Sequence, residues 1–136
     1  MTEDERFKIW AAGFFDGEGS VTLFKRGLDS YVLGVKLTST AKKAVDMFYS
    51  AWGGAVFPYR RQRIKSGALG KQAWQVTYDE NEAYQLVLDL LPYVELKRPQ
   101  FELAKEFIEK VRDLRSLRSG SSHKQTNVER VYRKRV

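Results

Sequence analysis

The chain has 136 residues, a formal net charge of +7, no cysteine and one histidine, His123. That length fits one domain with a real core. The missing cysteines exclude disulfides and thiolate metal sites, and a single histidine excludes zinc fingers and argues against histidine-based nuclease chemistry. No apolar run approaches the ~18 residues of a membrane span, and the acidic start Thr2-Glu3-Asp4-Glu5 lacks a signal-peptide pattern. The expectation is a soluble intracellular protein of cytoplasm or organelle, neither secreted nor membrane-bound.

In chain order, residues 6–17 read as a helix carrying Arg6, Phe7, Ile9 and Trp10, followed by Gly13 and Gly17 on one face. Residues 20–26 alternate, with Ser20, Thr22, Phe24 and Arg26 on one side. Gly27-Leu28-Asp29-Ser30 reads as a turn, and 31–38 alternate again, with Lys36 and Thr38 opposite Tyr31, Leu33, Val35 and Leu37. Ala41, Val45, Phe48 and Trp52 have helical spacing, with Ser39 and Thr40 as candidate caps and Gly53-Gly54 as the stop. Residues 55–60 and 72–78 read as a second hairpin joined by a long basic segment, Arg61 to Lys71. Asp79 and Glu82 have capping-box spacing ahead of the stripe Ala83, Leu86, Val87 and Leu90, which ends near Pro92. Pro99 suits the first turn of a last helix with stripe Leu103, Ala104, Phe107, Ile108, Val111 and Leu114.

The order is helix, hairpin, helix, hairpin, helix, helix. This is an α+β chain in which two β-hairpin/helix units form a four-stranded antiparallel sheet with helices on one face and the other face open. Residues 1–118 form the domain. Residues 119–136 form a basic tail after the joint Ser119-Gly120-Ser121-Ser122, either solvated or adding phosphate contacts.

Charge is segregated by element. Ala55 to Tyr78 contains Arg60, Arg61, Arg63, Lys65 and Lys71 and no acid, whereas Asp79 to Leu96 contains five acids and no Lys or Arg. The open sheet face is expected to carry Ser20, Thr22, Phe24, Arg26, Lys36, Thr38, Tyr59, Arg61, Arg63, Gln75 and Thr77, flanked by Lys65 and Lys71. That mixture suits a strand-based reader of DNA bases and phosphates, and a two-stranded ribbon fits the major groove. The alternative is an ordinary solvated face, and a register shifted by one residue would exchange the two faces.

The stretch Trp10 to Ser20 joins these elements. Gly13 and Gly17 would let a second backbone approach the first helix closely. Asp16 and Glu18 fall at that helix's C-terminal end, where the dipole is already negative. A bound cation would compensate them, although Gly17-Glu18-Gly19 also fits an ordinary C-cap and turn.

Ala11 to Gly19 resembles the signature motif of the LAGLIDADG homing endonucleases. The small residues Ala12, Gly13 and Gly17, the pair Phe14-Phe15, Asp16, the acid Glu18 and the closing Gly19 match; Ala11 replaces a leucine, and Glu18 stands where aspartate is common. The element order over roughly residues 6–115 is also that of the family core. One copy of the motif implies the homodimeric type, with Ala12, Gly13, Asp16 and Gly17 at the dimer interface and a pseudo-palindromic double-stranded DNA target. The resemblance implies a Mg²⁺-dependent endodeoxyribonuclease, with Mn²⁺ expected to substitute. Glu18 is the chief metal ligand, aided by main-chain oxygen near Gly17.

Lys97 matches the family's basic residue that assists the chemistry, though a lysine opening a helix is commonly just a surface group. Ser39 occupies the place of a water-positioning glutamine and is otherwise a helix cap. Asp16 is assigned to packing or capping rather than chemistry, or else is a solvated helix-end acid. A compact free-standing chain favours an intron over an intein as the place of its gene. The alternatives are a non-cleaving intron-splicing cofactor (maturase) with intron RNA as partner, a DNA-binding regulator on the same scaffold, or a small globular protein whose basic surface is unrelated.

Overall fold

A computed structural model describes residues 1–25, 30–59 and 63–118. The turn at 27–29, Arg26, Arg60, Arg61 and the whole tail from 119 to 136 lie outside the described residues.

The first helix, α1 (Glu3–Glu18), starts three residues earlier than the apolar spacing suggests. Thr2 Oγ1 accepts the Glu5 amide at 3.1 Å, and Glu3, Asp4 and Glu5 fill the first turn. Those acids therefore lie at the positive end of the dipole, where they stabilise the helix. Strands β1 (Gly19–Lys25) and β2 (Tyr31–Ser39) form the first hairpin. Helix α2 (Lys42–Trp52) is followed by β3 (Ala55–Tyr59) and β4 (Ala73–Tyr78), and then by α3 (Glu80–Leu90) and α4 (Arg98–Arg118). The element order read from the sequence is the order found.

The sheet runs β1-β2-β4-β3, antiparallel throughout. Each hairpin contributes its second strand to the centre. The pairing Lys36↔Thr77 with Thr38↔Gln75 places those residues on one face; Val35↔Tyr78 with Leu37↔Val76 places these on the other. Val35, Leu37, Val76 and Tyr78 are buried against Ala11, Ala12, Phe15, Val45, Phe48, Leu86, Val87 and Phe101 from all four helices. A ring cluster runs through this core: Phe15 meets Phe101 edge-on at 5.3 Å, and Phe48 meets Trp52 at 5.3 Å. Aromatic burial on this scale is a dominant stabilising term.

Three local devices fix the helices. The Asp79/Glu82 capping box forms as its spacing predicts, at 2.8 and 3.0 Å. The second carboxylate oxygen of Glu82 also takes the Gly54 amide at 2.8 Å, which ties the start of α3 to the turn after α2. That turn needs Gly53 and Gly54, at φ of +81° and +97°. The Arg98 guanidinium donates to the Leu91 and Val94 carbonyls at 3.0 and 2.6 Å, satisfying groups left over at the end of α3. The expectation that Ser39 or Thr40 caps α2 needs correction. The N-cap is Ala41, without a side-chain bond, and Ser39 Oγ accepts the Ala41 amide at 3.0 Å one step before the helix.

Candidate active site and nucleic-acid interface

The last turn of α1 concentrates the candidate chemistry. Asp16 accepts the Glu95 and Lys97 amides at 2.8 and 3.0 Å, so its carboxylate clamps the loop that opens α4. Burial works to raise its pKa, but the amides of Glu95, Lys97 and Leu96 outweigh burial and hold it below the ordinary carboxylate value. Asp16 is therefore not a free helix-end acid: main-chain N–H groups from 79 and 81 residues away compensate it, helped by the Lys97 ammonium. The same clamp delivers Lys97, whose Nζ donates to the Asp16 carbonyl at 2.7 Å. An ammonium has three donors, and the others stay available beside the motif.

Glu18, two residues on, is exposed and has no hydrogen-bond or ion-pair partner among the described residues. It sits at the C-terminal end of α1, where the last carbonyls have no partner within the helix; that of Phe15 takes the Gly19 amide and that of Asp16 takes Lys97 Nζ. The donor chemistry suits a hard divalent cation of the Mg²⁺ kind, which takes one or two carboxylates plus phosphate oxygens and water. Among the described residues no cluster of three His, Cys, Asp or Glu forms. Glu18 is therefore not part of a carboxylate-rich cage among the described residues.

The two faces of α1 differ sharply. Ala12 is fully buried in the core, so it offers no surface to a second chain, and the expected interface loses that residue. Gly13 and Gly17 face open space: a Cβ built on either would meet nothing within 4 Å among the described residues. Beside them Ile9 and Trp10 are 42% and 39% exposed, and Leu96, in the clamped loop, is 76% exposed. The periodicity of the first helix contained Ile9 and Trp10; Leu96 had no signal in the sequence. Gly19 is small for a different reason. A Cβ there would stand 2.5 Å from the Phe15 ring, so the chain can enter β1 only without a side chain.

Ser39 lies two residues past Leu37, the partner of Gly19, and so at the same end of the sheet as Glu18. It is buried on the helix-facing side, with its oxygen held by Ala41. That contact ties the turn ahead of α2 and leaves the hydroxyl turned away from solvent.

The register puts Ser20, Thr22, Phe24, Lys36, Thr38, Tyr59, Gln75 and Thr77 on the open face, as the alternation predicts. None of the strand residues on that face is acidic among the described residues. Arg63 pairs with Leu69 and donates to Gly67 O at 2.8 Å, so the segment thought to be a plain loop ends in a small turn carrying exposed Lys65. Lys71 is also exposed. Gln75, expected among the base-reading groups of the open face, is only 7% exposed, and its amide donates to Thr38 Oγ1 at 2.7 Å. Its register partner Phe57 is the exposed group at that place, which the sequence reading missed.

Four helices thus back one face of a four-stranded antiparallel sheet, the first of them ending at the exposed Glu18, and on the open face Lys36 is the one charged group among the described strand residues. The sequence matches no protein-family model and no curated protein. Among solved structures, the chain is similar to the homing endonuclease I-CvuI in complex with its target in the presence of Ca, at 21% identity over 96% of this chain and 92% of that one, with a TM-score of 0.55. I-CvuI with the I-CreI target and Mg, the DNA not cleaved, gives 21% identity over 90% and 87%, with a TM-score of 0.53. The archaeal intron-encoded homing endonuclease I-Vdi141I complexed with DNA gives 17% identity over 82% and 72%, with a TM-score of 0.64. The chain has the fold of the LAGLIDADG homing endonucleases. No helix among the described residues is long and apolar enough to cross a membrane.

Proposed function

We propose that two copies of this chain form a site-specific, Mg²⁺-dependent endonuclease that hydrolyses both strands of a long pseudo-palindromic DNA target, and that it is encoded in an intron, as the I-Vdi141I neighbour is. The observation that carries this reading is the unpartnered Glu18 carboxylate at the end of a helix whose outer glycine face is bare. Pairing two such helices about a two-fold axis brings a second carboxylate to the first and mirrors a two-fold target. The DNA neighbours of the fold and the acid-free sheet face support duplex DNA as the substrate.

A divalent cation shared by the two Glu18 carboxylates would supply activation of the attacking water and neutralise charge developing on phosphate oxygens. The chain's own residues do the rest. Asp16 fixes the Lys97 loop to α1, so the ammonium and Glu18 move as one unit. Lys97 offers its remaining N–H groups to the charge that develops in the transition state. Lys36 and the basic β3–β4 segment hold phosphates and set the register on the duplex. A pure binder, whether of intron RNA or of DNA, has no use for a free carboxylate beside phosphates.

The test is Glu18→Gln, with target binding and strand cleavage measured side by side. Binding should persist while cleavage falls on the order of 10²–10³-fold, the scale of losing one charge-stabilising group. Cleavage at the normal rate would remove Glu18 from the site.

A further inference from the structure

We infer that Phe24 and Phe57 read thymine methyl groups in the major groove, so that thymines at fixed positions of each half-site are part of the target. This rests on the DNA-binding reading above and specifies what the sheet selects.

The polar groups on the open face are less available than their number suggests, because Gln75 and Thr38 are engaged with each other at 2.7 Å. Phe24 and Phe57 are 48% and 41% exposed on the same face. Both stand on fixed supports. The Phe24 ring lies over Gly34, where a Cβ would come within 3.1 Å of its Cε1 atom. Phe57 is the register partner of the immobilised Gln75. The two rings sit on β1 and β3, the outer strands, so they address different base pairs.

Base edges in the major groove present hydrogen-bond donors and acceptors and one apolar group, the thymine C5 methyl. A rigid phenyl ring gains contact only with the methyl. Set against guanine, adenine or cytosine edges it would strip water from polar atoms and return no hydrogen bond. The discrimination therefore acts in both directions.

The experiment begins with selection of bound duplexes from a randomised library, using the full-length protein without divalent ions so that no strand is cut. Each thymine of the selected site is then replaced by deoxyuridine, which removes the methyl alone. Affinity should fall about fourfold at the contacted positions, the fold-change of burying one methyl-sized group. Phe24→Ala should abolish the deoxyuridine effect at one set of positions and Phe57→Ala at another, while Phe57→Leu, which stays apolar, should retain it. A deoxyuridine scan that leaves affinity unchanged throughout, or an effect that persists in both alanine variants, overturns this inference alone. Failure to enrich any duplex overturns the DNA-binding reading beneath it.

Discussion

One helix shows two opposite uses of small residues. On the inner side of α1, Ala11 and Ala12 are small because Phe15 and the strands crowd them, and all three are fully buried. On the outer side, Gly13 and Gly17 are small although a Cβ on either would meet nothing within 4 Å among the described residues. Gly in a helix interior costs about 0.5–1 kcal/mol relative to Ala. A residue that weakens its own helix with no contact to justify it points to a contact made outside the subunit. The first set serves the fold; under the dimer proposed above, the second serves the assembly.

This contrast can be broken by experiment. Phe15→Ala should have the largest effect on stability, about 3–5 kcal/mol in chemical denaturation, because it empties the ring cluster beneath Phe48 and Phe101. A loss under about 1 kcal/mol would mean that the inner face is not the packed one. Gly13→Leu should do the reverse. It leaves the subunit folded, by circular dichroism, yet gives monomer by sedimentation, since leucine fills the surface meant for a second backbone. A dimer that survives it would show that the outer face has no such duty.

Asp16→Ala should cost about 1–3 kcal/mol, because two amides lose their charged acceptor. It should also lower cleavage by releasing the Lys97 loop. The sign of its pH dependence follows from the depressed pKa. The contribution is complete above the ordinary carboxylate value and is lost as pH falls through the lower folded value, so wild type and variant should converge in stability in strong acid. A gap that persists at low pH would show that the carboxylate charge is not what holds the loop. Tyr78→Phe is the smallest change. The Tyr78 hydroxyl is buried without a hydrogen-bond partner among the described residues, so its removal should leave the melting temperature unchanged or slightly raised. A clear drop would mean that the hydroxyl has a partner in solution.

The glycine pair was legible because helical spacing alone puts residues 13 and 17 on one side. The sheet faces were legible because strand side chains alternate, and no residue of the described strands departs from that rule. The Asp79/Glu82 box was legible for the same reason: both partners lie within one turn. Ala12 was misassigned because a motif shared by a packed face and a free face does not say which is which. Gln75 was misjudged because its partner, Thr38, is 37 residues away. Asp16 looked like an acid in need of a cation because the amides that satisfy it lie in the α3–α4 loop.

By itself, the sequence determined the order of the elements, the face each strand presents, the Asp79/Glu82 capping box, and the placing of an acid at the end of a glycine-lined helix. These depend on neighbours one to four residues apart, whose geometry is set by backbone period. Only the tertiary structure decided which of two acids is saturated and which is free, and which polar group on the sheet is exposed. Those outcomes depend on groups brought together across most of the chain, and no local period encodes them.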